Sequence, residues 1–468
     1  MLRLTTLVLV LTFVIDTAAE SSVALRSRDE AFARQLFADV ISMDTSVIKA
    51  ETPRMVAYLS RHLQDAGFRA NEIIEVPFDS GMASLIVKYT GSSPEKEAIG
   101  FMAHLDVVTA FRKDWELDPF TLTEHDGYFI GRGTADNKAG VVGLTATFIK
   151  LKKAGYIPGR TLYLIFTSDE ETGMVSTQHI AQNLSHSLNI EYAINSDAFS
   201  GNLTQDGQPL GYNVQSAEKG YRSYTLTVRN PGGHSSAPRD DNAIYQLANA
   251  LLKIEKYRFP TMINDISAGM LRSAAVSSNQ VTADAINRLL LDPTDLEATE
   301  VIISDPLLTT VVRTTCVATM LEAGHAENAL PQSASATVNC RIMPATSTDE
   351  VYERLTRIID DDGVKISVID EGNIGPASPI REDVMAALSD ALQEYPGVEL
   401  IPFMASYGTD GKEFRLVGTP VYGSSGIFMD PSEAYAHGLN EKIPVKTFYA
   451  SLAYWERLMK KLASNPVM

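Results

Sequence analysis

The chain has 468 residues, 45% of them apolar, and a formal net charge of −18. That length exceeds one ordinary core and predicts two domains, and the apolar fraction excludes a disordered chain. The acidic balance argues against nucleic acid or an anionic membrane as a partner, because basic faces hold both.

The first residues, MLRLTTLVLVLTFVIDTAAE, place Arg3 before an apolar run from Leu4 to Ile15 and small residues at 17–19. The run is too short to span a bilayer and predicts a secretory signal peptide over 1–19, cleaved near Ala19. The mature protein is then expected to be secreted or periplasmic, with no membrane attachment after cleavage. Helical spacing follows over 29–43 and 53–66, with Thr52 the expected N-cap and Pro53 in the first turn. Residues 83–89 and 98–103 read as strands, 140–154 as a helix closed by Gly155, and 161–167 and 192–195 as short buried strands. Strands and helices alternating at these lengths predict an α/β domain with a mostly parallel, helix-covered sheet.

The texture then changes. RSYTLTVR at 222–229 alternates polar and apolar residues, as a half-exposed strand does. A Gly-rich turn, NPGGHSS, leads to a helix over 242–256. Residues 314–322 and 335–342 read as a hairpin turning near 328–331, followed by a helix over 348–359 and a strand over 364–369. The order β-α-β-β-α-β is that of an α+β domain inserted into the first one. The expected boundaries are 20–217 and 373–468 for the outer domain and 218–372 for the inserted one, with a mostly helical insertion at about 257–312. The two cysteines, Cys316 and Cys340, lie symmetrically about residue 328 in the expected hairpin. They read as a cross-strand disulfide in an exported chain or as two buried thiols; spacing alone supplies no Cβ geometry.

In parallel sheets, sites form beyond the carboxyl ends of strands. His104 and Asp106 follow the strand at 98–103. Asp136 sits in GRGTADNKAG before a helix. Asp169, Glu170 and Glu171 follow the strand at 161–167, Asp197 follows 192–195, and His437 lies in YAHGLNE. Each alone has an ordinary reading: a surface histidine, a solvated acidic face, a turn residue, a helix cap. Together, two histidines and three carboxylates in order are the donor set for a pair of divalent cations, and mixed nitrogen and oxygen ligation suits zinc. Structural calcium is the rival for the acids, but histidine donors speak against it.

The motifs HLD, GRGTADNKAG, SDEETG, NSD, PGGHSSAP, NALPQSASATVNCRIMP, GTD and AHGLNE occur in that order and resemble the M20 metallopeptidases. The likeness spans roughly 30–460 and is strongest to the carboxypeptidase S and N-fatty-acyl-amino-acid hydrolase branch. It implies a dizinc catalytic domain, with cobalt or manganese as other candidate metals, and an inserted lid and dimerisation domain. Carried onto this sequence, His104, Asp136, Glu171, Asp197 and His437 would be the metal ligands. Asp136 would bridge, Glu171 would join His104 on the first metal, and Asp197 and His437 would hold the second. Asp106 would orient the His104 ring, and Glu170 would be the general base. His234 would reach a partner subunit's active site in a homodimer and stabilise the oxyanion, although GGHSS also reads as a plain turn. Asn328, Arg341 and Gly408 would bind substrate, while an outward-facing strand position is the ordinary reading of Arg341. Lys412 and Asn137 depart from the family pattern, which many relatives fill with arginine and methionine. The implied activity is hydrolysis of an amide to release an amino acid with a free carboxylate, from a peptide or an N-acyl amino acid. The alternative is a catalytically silent metal- or peptide-binding protein on the same fold.

Overall fold

The computed structural model of the chain describes residues 28–369, 374–433 and 435–464. The signal segment expected at 1–19 lies outside them. Among the described residues no helix is long and apolar enough to cross a membrane. The chain divides into two compact units, one drawn from Met1–Tyr212, Arg381–Leu400 and Gly423–Met468, the other from Asn213–Ile380 and Ile401–Tyr422.

In the first unit, strands β1 (Ile73–Pro77), β2 (Ala83–Tyr89), β3 (Ala98–His104), β4 (Leu162–Thr167) and β5 (Ile190–Asn195) lie in the order β1-β2-β4-β3-β5. β3 runs parallel to β4 and β5, while β1 and β2 are antiparallel additions at one side. Every residue of β3 and β4 is buried. Their unbroken apolar runs are therefore the signature of strands covered on both faces, each large side chain contributing roughly 1.5–3 kcal/mol. Register pairs His104 with Thr167 and Met102 with Asn195. The carboxyl ends of the three strands are thus nearly flush, and the turns after them leave from one edge.

Helices α1 (28–41) and α2 (Thr52–Asp65) precede the sheet, and α3 (Lys138–Lys153) lies between β3 and β4 in sequence. Thr52 is not the N-cap expected of it. Glu51 holds that position without a side-chain cap bond, and Thr52 Oγ1 instead accepts the Ala83 N–H at 3.1 Å. The helix end at Gly155 follows expectation, with φ +70°, a conformation glycine adopts without strain. Within α3, Gly143 faces the Trp455 indole of the C-terminal helix Val445–Ser464, where an added Cβ would stand 3.0 Å from the ring.

The second unit carries β6 (Gly220–Arg229), α4 (Ala243–Lys256), β7 (Thr315–Ala323), β8 (Ser333–Ile342), a helix at Thr348–Ile359 and β9 (Val364–Val368). The sheet order is β7-β8-β6-β9, antiparallel throughout. One face packs Tyr224, Leu226, Val338 and Ile342 against Leu247, Val351 and Leu355 of the two helices. Asn242 caps α4, and Ser347 with Glu350 forms a capping box for the other helix. Four helices, Asp265–Ser277, Gln280–Leu291, Leu296–Ile303 and Pro306–Val312, fill the expected insertion around their own core of Leu271, Ile286, Leu289, Ile302 and Val312.

β7 and β8 are neighbours, and Cys316 faces Cys340 in register. Their sulfurs are bonded, which decides between the two readings left by the sequence. The link between the strands is not the simple turn expected near 328–331. Ala329–Leu330 forms a short antiparallel pair with Gly233–His234, and β7 bulges between Ala318 and Met320.

Candidate metal centre

The chain segments after β3, β4 and β5 and two longer loops of the first unit, carrying Asp136 and His437, bring the candidate residues together. His104 is the last residue of β3 and is fully buried. Its Nδ1 lies 3.0 Å from the main-chain oxygen of Asp106, nearer than the Asp106 carboxylate at 3.6 Å. The ring is therefore held chiefly by a carbonyl rather than by the carboxylate expected from the sequence. That hydrogen bond fixes Nδ1–H and turns Nε2 inward.

The Asp106 carboxylate does a different task. Its two oxygens accept the main-chain N–H groups of Glu170 (3.1 Å) and Glu171 (3.0 Å). It thus pins the turn after β4 to the turn after β3. Asp169, which had no role in the sequence reading, accepts the Val175 and Ser176 N–H groups at 2.7 and 3.0 Å and the Ser176 hydroxyl. From outside the N-cap position, which Met174 holds, it satisfies the first N–H groups of the short helix Val175–His179. The three adjacent acids therefore have separate surroundings.

Donor atoms of His104, Asp136 and Glu171 lie within 4.8 Å of one another, as do those of His104, Glu170 and Asp197. His104 Nε2 is 2.8 Å from Asp136 Oδ1. His437 Nε2 is 2.8 Å from Glu171 Oε2 and 3.2 Å from Asp136 Oδ2. Asp136 thus stands between two histidines. The direct contact to Glu171 comes from His437, while the grouping of Glu171 with His104 and Asp136 is the set expected for the first metal. All five expected ligands, with Glu170 and Asp106, belong to this cluster.

The electrostatics are those of a site built around positive charge. Burial opposes ionisation of Asp136, yet hydrogen bonds from His104 and His437 hold it well below the usual carboxylate range. Burial likewise works against a charged His104, but Asp106 and Asp136 hold it well above the ordinary imidazole value. Asp136 and Glu171 push His437 up to about 10. Burial, with Asp136 adding to it, raises Glu171. Among the described residues Glu171 Oε1 is buried and has no hydrogen-bond partner. A buried acceptor left unpaired costs about 1–3 kcal/mol. A cation meets that need, so the donor set fits a metal.

Sequence reasoning passed over two residues here. Glu441 is fully buried and accepts the N–H groups of Ala135 (2.6 Å) and Asp136 (2.9 Å). It also pairs with Arg132 Nη1 at 2.6 Å. Both lie inside quoted motifs, GRGTAD and AHGLNE, but an acid and a base 309 positions apart give no pattern that pairs them. Asn137, noted in the sequence only as a departure from the family pattern, contacts one of the expected ligands. Its Nδ2 donates to Asp197 Oδ1 at 3.4 Å, and its Oδ1 accepts the Ser196 hydroxyl at 2.8 Å. Gly140 permits this, since an added Cβ would meet Ser196 Oγ at 2.1 Å.

The remaining expected residues belong to the second unit. His234 is exposed, and its Nδ1 accepts the Ser236 N–H at 3.2 Å. Asn328 is its neighbour, its carbonyl accepting the Ser235 N–H at 3.0 Å. Arg341, on β8, donates to the Ser406 carbonyl at 2.8 Å and lies over the Tyr221 ring. Gly408 is exposed, next to Thr409, whose N–H and hydroxyl are held by Glu218.

The chain is 29% identical over 374 residues to an N-fatty-acyl-amino acid synthase/hydrolase of Homo sapiens, covering 78% of this chain and 74% of that protein. It is 28% identical over 403 residues to the probable carboxypeptidase S-like 2 of Dictyostelium discoideum, covering 81% and 74%. The fold is that of an M20 metallo-carboxypeptidase from Sulfolobus solfataricus, with TM-score 0.69, 17% identity and coverage of 93% and 99%. The profile of peptidase family M20/M25/M40 matches residues 100–461, and the chain belongs to that family.

Proposed function

We propose that this protein is an exported dizinc hydrolase that cleaves an amide bond and releases an amino acid with a free carboxylate. Its substrate is the C-terminal residue of a peptide or an N-acyl amino acid. The observation that carries the reading is the convergence of two histidines and four carboxylates on one sheet edge, with a buried Glu171 oxygen unpaired among the described residues. In this reading Asp136 would be shared between two cations, with Glu171 and His437 holding one and His104 and Asp197 the other. Zinc suits these donors, and cobalt or manganese are the substitutes. When bound, the pair supplies an acidified water and polarises the scissile carbonyl.

The chain's own residues do the rest. Glu170 takes a proton from the attacking water and delivers it to the leaving amine as the C–O bond forms and the C–N bond breaks. Asp106 makes this division possible. It fixes the amides of both glutamates, so that neighbouring side chains diverge, one toward the metals and one toward the water. Arg341, Asn328 and Gly408 bind the substrate's carboxylate end, Arg341 through its planar fork. His234 stabilises the oxyanion across a homodimer. β7, the outermost strand of its sheet, exposes Val317, Met320 and Leu321, which suits an edge that pairs with a second copy.

The test is a panel of short peptides and N-acyl amino acids with metal-loaded protein and its Glu170→Gln variant. Wild type is expected to turn over at least one class. Glu170→Gln is expected to lose on the order of 10²–10⁴-fold in kcat while keeping its metal. A metal-loaded wild type that hydrolyses nothing on the panel supports a silent binding protein instead.

A further inference from the structure

We propose that Arg132 and Glu441 form a preassembled clasp that positions the Asp136 and His437 half of the metal site, so that one cation depends on it far more than the other. The proposal rests on the dimetal reading above. Both side chains are almost wholly buried, at 3% and 0% exposure. Glu441 Oε1 accepts the N–H groups of Ala135 and Asp136, and Oε2 accepts Arg132 Nη1 and the Gly133 N–H at 3.1 Å. Arg132 Nη2 donates to the carbonyls of Gly438 at 3.0 Å and His437 at 3.4 Å. The Gly131 N–H adds a bond to the Glu441 carbonyl at 3.0 Å. Two loops that each carry one donor are therefore tied through their main chains, and no atom of the clasp is itself a donor to the cations.

Three observations assign this pair to geometry rather than stability. A buried Arg–Glu pair is on average no more stabilising than well-packed apolar residues. Arg132 Nε is buried without a partner among the described residues, which costs stability outright. His437 sits at φ +62°, a left-handed conformation that a non-glycine residue holds only when its surroundings enforce it. Its side chain is 56% exposed, so little packing around the ring can do the enforcing. The Arg132 bonds to the carbonyls of residues 437 and 438, together with the Gly438 N–H bond to the Tyr435 carbonyl at 2.8 Å, hold that backbone.

The clasp touches the loops of Asp136 and His437. His104 and Asp197 lie at strand ends fixed by other bonds. Loss of the clasp should therefore weaken the cation held by Glu171 and His437 more, because that set loses the positioning of both Asp136 and His437, whereas the set of His104 and Asp197 loses that of the shared Asp136 alone.

The experiment measures zinc bound per chain in zinc-buffered solution for wild type, Glu441→Gln and Arg132→Lys, with circular dichroism to establish folding. Amide exchange of metal-free wild type is followed in parallel. Wild type should hold two equivalents, and each variant one, the second weakened about 10–100-fold. Excess zinc should restore that second equivalent. The Ala135 and Asp136 amides should exchange slowly in metal-free wild type, as preassembly requires. Folded variants that hold both equivalents with wild-type affinity overturn the proposal. So do amides that exchange freely until zinc is added, and that arm decides even where both variants unfold. A wild-type chain binding fewer than two equivalents defeats the dimetal reading instead, and amide exchange still judges the clasp.

Discussion

Replacing Asp106 by asparagine tests the reasoning most directly, because the change is nearly isosteric. The Asp106 side chain is 2% exposed, and its two oxygens each accept one main-chain N–H, from Glu170 and Glu171. An asparagine has one acceptor oxygen, and its NH₂ would face the other N–H donor. One buried amide is then orphaned, at about 1–3 kcal/mol, and the other bond loses its charge assistance, about 1 kcal/mol more. Urea unfolding of the metal-free protein should show a loss of about 2–4 kcal/mol. The functional consequence is separate. The turn carrying the expected base and ligand is no longer pinned, and a displacement on the order of 1 Å costs about 10²-fold in kcat. Asp169→Asn is the comparison: the Asp169 oxygens also take two main-chain N–H groups, but at exposed and part-buried positions where water replaces a lost bond, so the change should cost less, about 1 kcal/mol. Asp106→Asn with unfolding within about 0.5 kcal/mol of wild type and kcat within about threefold would show that the Asp106 carboxylate does not position that turn.

Two further outcomes follow from the geometry. Cys316 and Cys340 are 24 residues apart in sequence, so loop closure predicts a loss of about 3.5 kcal/mol when both are changed to alanine; an unchanged urea midpoint would contradict this. Metal binding should release protons, because in the metal-free chain Asp136 and Glu171 hold His437 up to about 10, above the ordinary imidazole value. His437 therefore carries its proton at neutral pH and must lose it before Nε2 can take a cation, so zinc affinity should rise as pH climbs from 7 toward 10. Calorimetry in buffers of different ionisation enthalpy would read the protons released, and a pH-independent affinity would refute the assignment.

What the sequence made legible was whatever local pattern encodes. The runs at 98–103 and 161–167 announced parallel strands because burial on both faces leaves no polar alternation, and the residues after them were then placed by the strand-end rule. The Cys316 and Cys340 pairing was legible as register, since antiparallel partners share a constant index sum, but the bond itself needed coordinates. Thr52 was misread because Thr before Pro is a strong cap signal, and a tertiary bond to Ala83 outweighed it. The Arg132–Glu441 pair and the contact of Asn137 with Asp197 were invisible for one reason. Each joins residues far apart in the chain through single polar atoms, and neither has a periodicity to betray it.

The same distinction explains the acids after β4. Three adjacent carboxylates look like unrelieved repulsion in sequence. Asp169 is taken up by three donors of the helix after it, and Glu171 by His437. One Glu171 oxygen stays buried and unpaired among the described residues, the kind of group a chain selected only for stability would remove. Local rules fail where a site requires them to fail, and here the failure falls on a carboxylate of the cluster formed with His104 and Asp136. The Asp169 and Asp106 carboxylates around it are paired, and so are both carboxylate oxygens of Glu441. The positioning acids are therefore paired without a metal, and among the described residues Glu171 Oε1 is the buried carboxylate oxygen left for a cation to meet.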